Sequence, residues 1–385
     1  MDRNRTLNID LNRIPSPCFI VDKSALRKNI SIFDGIRKKT GVKILLALKG
    51  FAMFSVFDVL KPFLAGVCAS SPHEARLGYE EMGKEVHSFA AAYSRRDLED
   101  FLKWSDHIIF NSFSQWQQFN SQIKNASRAI SYGIRINPEH SEGNVPIYDP
   151  CAFGSRLGVI RDHFKSHLLD GIEGLHFHTL CQHNADALER TLAKVEEKFG
   201  QFILKMKWVN FGGGHHITRS DYNVDLLCGL INEFKLKYDI KEIYIEPGEA
   251  IVFESGYLVT TVLDIIQNDM PIAILDTSAA AHMPDVLEMP YRPEIINAGD
   301  PGENAHSYRL GGLSCLAGDV MGEYSFDHPL SIGDKLVFAD MAHYSMVKTN
   351  TFNGIRLPSI AWYDQTGELR IVRSFDYKDY KNRLS

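Results

Sequence analysis

Between Lys43 and Glu246, short apolar runs alternate with helix-length segments eight times, and few folds accommodate that rhythm. Strand-like runs occur at 43–49, 66–70, 86–91, 107–111, 129–137, 171–178, 207–211 and 242–246. Segments with helical spacing lie between most of them, among them 72–82, 95–104, 114–123, 186–199 and 224–238. The runs are too short for buried helices and read as buried parallel strands. Eight such strand–helix units across roughly two hundred residues predict a (β/α)8 TIM barrel. A doubly wound open sheet is the competing arrangement.

Around Ser255 the rhythm changes. Residues 258–266, 272–276, 308–310, 335–338 and 369–372 are strand-like, turns such as Ser331-Ile-Gly-Asp334 and Asp364-Gln-Thr-Gly367 intervene, and few segments have helical length. The expected fold class is therefore α/β: a TIM barrel over 22–254 plus a C-terminal β-rich domain, barrel- or sandwich-like, over 255–385. Residues 1–21 are assigned to that second domain, because Cys18–Val21 reads as a strand able to pair with it. Ser24 is placed to N-cap a helix whose apolar face runs through Leu26, Ile30 and Phe33. The irregular stretch 138–155 reads as an insertion, the kind of loop that tends to be functional or mobile.

The chain has 385 residues, 44% of them hydrophobic and 23% charged, which is enough apolar material for full cores and excludes a disordered class. A net charge of −6 argues against a nucleic-acid surface, which needs clustered Lys and Arg. Cys18, Cys68, Cys151, Cys181, Cys228 and Cys315 are scattered without a CxxC pair, so free thiols in a reducing compartment are expected. Met1–Ile14 is polar and no stretch approaches a membrane span. A cytoplasmic protein without membrane or nucleic-acid partners is expected.

Barrels carry function at the C-terminal ends of their strands. Those ends hold Lys49, Ser70, Asn111, Arg135, His178, the run Gly212-Gly213-Gly214 and Glu246. A lysine at the rim, backed by apolar wall, loses hydration and becomes a nucleophile toward carbonyls. Three glycines after the seventh strand let backbone amides converge on an anion, where barrels commonly hold phosphate. Glu246, followed by Pro247-Gly248, places a carboxylate where it can stabilise a protonated heteroaromatic nitrogen. His176 and His178 share one strand face. Lysine, phosphate cradle, carboxylate and flat imidazole together describe a site for pyridoxal 5′-phosphate. A metal-dependent barrel hydrolase using His176, His178, His183, His215 and His216 is a rival, and a non-catalytic binding protein of the same fold is another.

Lys49, Leu175-His-Phe-His178, Asn210-Phe-Gly-Gly-Gly214 and Glu246-Pro-Gly resemble the fold-type III, alanine-racemase-like pyridoxal phosphate decarboxylases, which include ornithine and diaminopimelate decarboxylases. The later motifs Gly312-Leu-Ser-Cys315-Leu-Ala-Gly-Asp319, Ala342-His-Tyr344 and Thr351-Phe-Asn-Gly354 follow in that family's order. The resemblance implies that Lys49 binds the cofactor covalently, His178 stacks on its ring, Glu246 partners its nitrogen, and Gly212, Gly213, Gly214 and Tyr344 hold its phosphate. It implies a homodimer with shared active sites, in which Cys315 reaches in from the other subunit to take part in protonation. Catalytic roles thus fall to Lys49, His178 and Cys315. Departures exist: Gly50-Phe51 stands where Ala-Asn is commoner, Glu249 where an arginine helps bind phosphate, and Cys181 where a serine does. With the segment His282–Pro293, these features look like the branch that decarboxylates carboxynorspermidine and carboxyspermidine, amino acids with polyamine tails. For such a substrate Asp285, Glu288 and Asp319, together with Glu246, are the candidate binding residues. Diaminopimelate or another basic amino acid is the alternative substrate.

Overall fold

The computed structural model describes residues 9–143 and 148–385. The segment 144–147 of the expected insertion lies outside the described residues. The chain divides into two compact units. Of the described residues, one unit comprises Lys28–Lys49 and those within Phe57–Ile251; the other holds those up to Arg27, Gly50–Val56 and everything from Val252.

The chain enters through β1 (Cys18–Asp22) and passes directly into a helix over Lys23–Thr40. The cap is not Ser24. Because the helix starts at Lys23, the carboxylate of Asp22 takes the amides of Ser24 and Ala25, at 2.7 and 3.2 Å. Ser24 Oγ is left buried without a partner. Leu26, Ile30 and Phe33 form the buried face, as their spacing predicts.

The first unit is a closed barrel of eight parallel strands: β2 (Lys43–Ala47), β3 (Gly66–Ala69), β4 (Glu85–Phe89), β5 (His107–Phe110), β6 (Ser131–Arg135), β7 (Ile172–His176), β8 (Trp208–Asn210) and β9 (Glu242–Ile245). The open-sheet alternative is ruled out by the closing pair, in which Lys43 and Ile44 of β2 register with Tyr244 and Ile245 of β9. Inside, Leu45, Ile109, Trp208 and Tyr244 fill the cylinder. Trp208 fits only because its neighbours are glycines. A Cβ on Gly174 would lie 2.1 Å from the indole, and one on Gly133 would lie 2.4 Å from it. The floor is polar: Lys43 pairs with Glu85 at 2.8 Å and Glu242 at 2.7 Å.

The second unit is a mixed sheet in the order β13-β12-β11-β10-β1-β15-β16, with β14 also paired to β10. Its later strands are β10 (Gly256–Asn268), β11 (Met270–Leu275), β12 (His306–Gly311), β13 (Val320–Phe326), β14 (Lys335–Ala339), β15 (Ser359–Tyr363) and β16 (Leu369–Arg373). The N-terminal strand joins it as expected: β1 lies antiparallel to β10 and parallel to β15. Two strands escape the sequence pattern. Gly322 interrupts β13, and β15 follows directly on Pro358.

Gly174→Ala forces a methyl into the Trp208 ring and is expected to destabilise the protein by about 1–3 kcal/mol or more. Thermal unfolding measures it. The double variant with Trp208→Leu is expected to lose less than the sum of the two single losses, because the clash needs the indole.

Candidate active site

Lys49 lies in the turn after β2, two residues beyond the last strand residue rather than on the strand itself. The turn is held from both sides: Ala47 N–H donates to Pro247 O at 3.0 Å, and Leu48 N–H donates to Cys68 O at 3.1 Å. The Lys49 side chain is exposed. Its ammonium nevertheless acts on groups from several strand ends. Burial pushes His178 well below the ordinary histidine value, and the Lys49 charge pushes it further. The same charge pulls Cys68, Glu74 and Cys181 down against the burial that raises them. The Lys49 charge is thus within electrostatic reach of His178, expected beside it, and of groups at the ends of β3 and β7.

His178 follows β7, and the triglycine turn follows β8. The Gly213 amide donates to His178 Nδ1 at 2.9 Å, so that nitrogen is an acceptor and the neutral ring carries its proton on Nε2. Crowding explains the glycines. A Cβ on Gly213 would sit 2.4 Å from Glu246 O, and one on Gly214 would sit 1.9 Å from Leu180 O. Gly212 and Gly214 also have φ of +71° and +85°, which side-chain-bearing residues rarely adopt.

Glu246, just past β9, is buried. Asn210 Nδ2 donates to its Oε1 at 2.8 Å, and His176 Nε2 lies 3.3 Å from its Oε2. Burial alone would raise this carboxyl, but His176, His87 and Asn210 outweigh it and hold it down to about 2. Burial also keeps His176 below its ordinary value against the pull of Glu246, so His176 acts as a neutral donor. Arg135 supplies the buried positive charge. Burial lowers its guanidinium to about 10, Glu246 pulls it back up, and it stays ionised. Its Nη2 donates to His178 O at 3.1 Å, and its plane lies 4.7 Å over Phe89.

Sequence reasoning assigned no role to Asn210. Its Oδ1 accepts the Gly212 amide at 2.9 Å while its amide group holds Glu246, so one side chain ties the triglycine turn to the acid. The visible signal is its place two residues before the first glycine. Two of the three glycine amides thus have internal acceptors, Asn210 and His178. Glu249 accepts from Gln182 at 2.7 Å, and Cys181 N–H donates to His183 Nδ1 at 3.0 Å.

The remaining candidates belong to the sheet unit. Tyr344, at φ +50°, donates its amide to Gly50 O at 2.9 Å. Cys315 is exposed. Asp285 and Glu288, expected to meet substrate amines, both pair with Lys348. Asp319, expected to contact substrate, is 4% exposed and its carboxylate is turned to backbone amides instead.

Among the described residues, the histidine and acid groups close enough to share an ion are Glu85, His87 and His107, at the barrel floor rather than its rim. The two imidazoles stack 3.8 Å apart at 16°, so their in-plane lone pairs do not converge on one ion. Glu85 is already paired with Lys43.

A family model of pyridoxal-dependent decarboxylases, described by its C-terminal sheet domain, matches residues 18–342. The chain belongs to the pyridoxal-dependent decarboxylases. Among its relatives is the carboxyaminopropylagmatine decarboxylase of Synechocystis sp., 45% identical over 98% of this chain and 97% of that protein. The carboxynorspermidine/carboxyspermidine decarboxylase of Campylobacter jejuni is 45% identical over 96% and 99%. The crystal structure of carboxynorspermidine decarboxylase from Campylobacter jejuni complexed with norspermidine superimposes with a TM-score of 0.88, at 45% identity, covering 96% of this chain and 100% of that one. Diaminopimelate decarboxylase from Helicobacter pylori shares the fold, with a TM-score of 0.81 at 18% identity over 97% of this chain and 98% of that one.

The decarboxylase takes pyridoxal phosphate as cofactor, and its barrel residues fit that group. At the strand ends of one barrel stand an amine suited to an aldehyde, a flat neutral imidazole and an ionised acid suited to a protonated ring nitrogen, with a turn that any Cβ would fill. The family assignment replaces both the hydrolase and the non-catalytic readings.

The decarboxylase also carries further buried neutral histidines. His282 Nε2 donates to Arg356 O at 3.0 Å and its Nδ1 accepts from Ser278 at 3.3 Å. Burial lowers it to about 4, and likewise His215. Their folded values lie below the unfolded 6.5, so their contribution is full above pH 6.5 and is lost as pH falls toward 4, on the order of 3 kcal/mol each. Melting temperature is expected to fall between pH 7 and 5, with a shallower slope in His282→Gln.

Proposed function

We propose that this decarboxylase removes CO2 from an α-amino acid with a polyamine tail, of the carboxynorspermidine and carboxyspermidine type, giving norspermidine or spermidine. The observation that carries this is near full-length 45% identity to a carboxynorspermidine/carboxyspermidine decarboxylase, matched by equal identity to a carboxyaminopropylagmatine decarboxylase. Diaminopimelate decarboxylases match at 21–25%.

Bound pyridoxal phosphate supplies an electron sink for the pair left at Cα when CO2 departs. Lys49 provides the amine that holds the cofactor aldehyde. Glu246, ionised across the working pH range, holds a proton on the ring nitrogen, supported by Asn210 and His176. His178 offers a neutral flat face fixed by Gly213. The glycine turn and Tyr344 hold the phosphate, with the turn acting mainly by leaving room. Cys315 of a second copy delivers a proton to Cα, which makes the working unit a homodimer with shared sites. Asp285 and Glu288 receive the tail, and Lys348 competes for them as an internal cation.

Lys49→Ala is expected to abolish both turnover and the visible absorbance of covalently held cofactor; retained activity refutes the assignment. In competition, the parent enzyme is expected to consume carboxynorspermidine and carboxyspermidine well ahead of diaminopimelate and ornithine. One methylene of tail discriminates by only about 1–3 kcal/mol, so the two tails should both be used. Lys348→Met, which leaves the two acids without their internal partner, is expected to lower KM for tailed substrates about threefold to tenfold at little change in kcat.

A further inference from the structure

The loop Gly312–Asp319 carries Cys315, and it is tied down by the Asp319 side chain, expected to contact substrate but turned to backbone amides. Asp319 accepts from both sides. Its Oδ1 takes the amides of Ala279 and Ala280, at 2.7 and 3.3 Å, while its Oδ2 takes the amide of Ser314 at 3.2 Å. Its backbone closes the same loop: Asp319 N–H donates to Leu316 O at 3.0 Å, and Gly312 N–H donates to Asp319 O at 2.8 Å. Gly312 is crowded against it, since a Cβ there would lie 2.3 Å from Asp319 Oδ2. A second tie meets the loop at Cys315, whose amide donates to Asn353 Oδ1 at 2.8 Å. Asn353 holds φ +55°, a conformation asparagine tolerates better than most residues. Between these ties Cys315 is exposed, flanked by exposed Leu313 and Leu316.

An exposed loop of glycine and small residues would ordinarily sample many shapes. Here the amides of two successive residues, Ser314 and Cys315, each meet a fixed acceptor. The other oxygen of Asp319 caps the short helix Ala279–His282, which leads into the segment bearing Asp285 and Glu288. A carboxylate suits this place because both its oxygens accept.

We infer that Asp319 is a positioning residue: its carboxylate sets the Cys315 thiol in place and fixes that loop to the segment carrying the tail-binding acids. The inference rests on the reading of Cys315 as the proton donor, and its test separates the two.

Asp319→Asn is the informative change. Asparagine keeps one acceptor oxygen, which can stay on Ala279 and Ala280, and it turns an NH2 group toward the Ser314 N–H. The cap survives and the Cys315 side of the loop is released. In the folded holoenzyme, iodoacetamide is expected to label Cys315 at least threefold faster than in the parent, read on the Cys315 peptide by mass spectrometry. Turnover is expected to fall at least tenfold with KM changed less than threefold. The ratio of CO2 released to polyamine formed should rise above one, because in part of the turnovers the proton would go to the cofactor carbon instead of Cα, and water would then release an aldehyde and leave the nitrogen on the cofactor as its amine form. A purely structural defect would lower the amount of active enzyme and leave that ratio at one. Labelling and kcat both within twofold of the parent, or a ratio that stays at one, overturn the inference.

If the variant does not fold, hydrogen exchange in the parent decides. The Ser314 and Cys315 amides are expected to be protected despite the exposure of the loop, and free exchange overturns the inference. Cys315→Ala tests the underlying reading separately. Unchanged kcat and a ratio of one there reject Cys315 as donor, without touching the labelling and exchange results.

Discussion

The rim chemistry depends on keeping one carboxylate ionised inside a barrel. A buried charge without partners costs several kcal/mol and would ordinarily take up a proton. Glu246 avoids that through two side-chain donors, Asn210 and His176, and the nearby charge of Arg135. Hydrogen bonds to a charged group contribute roughly 1.5–3 kcal/mol each, which is the scale needed to offset burial. The donors come from the ends of β7 and β8, and the cation from the end of β6. Closure of the barrel is what brings these ends together, so the charge state of one acid is a property of the topology.

The same network sets the shape of the rim. Asn210 binds both Glu246 and the Gly212 amide, and Gly213 binds His178, so acid, turn and imidazole are joined in one hydrogen-bonded network. The glycines are required less as flexible links than as surfaces of closest approach, since a methyl at Gly213 or Gly214 would strike backbone oxygens. The barrel interior obeys the same constraint at Gly133 and Gly174, where the missing side chains are filled by Trp208. Two neighbouring glycines on β6 and β7 make room for the large ring of β8 inside the cylinder.

Much of this was legible in the sequence because it is local. Each barrel strand is an apolar run bounded by turn residues, and each rim residue sits at the end of such a run. What was not legible is set by contacts distant in the chain. Lys49 ends its run in sequence yet lies beyond the strand, because β2 stops pairing where Ala47 turns to Pro247. Asp22 caps the first helix instead of Ser24, since strand and helix abut with no residue between them. Lys348 meets Asp285 and Glu288 across some sixty residues of chain, and no periodicity reports such a pair. The Asp319 motif was visible, but the sequence could not show that its carboxylate faces inward to amides.

The placement of cations bears on why CO2 would leave. A substrate carboxylate held by a strong cation is stabilised in the ground state, and loss of CO2 then forfeits that interaction, which raises the barrier. Arg135 is the buried cation nearest the acid network, and it is committed elsewhere: to the His178 carbonyl, to the face of Phe89 and to Glu246. Its charge would therefore support an electron sink through Glu246 rather than hold a departing carboxylate. A neutral His178 follows the same logic, since a charged imidazole would add a further cation to the rim.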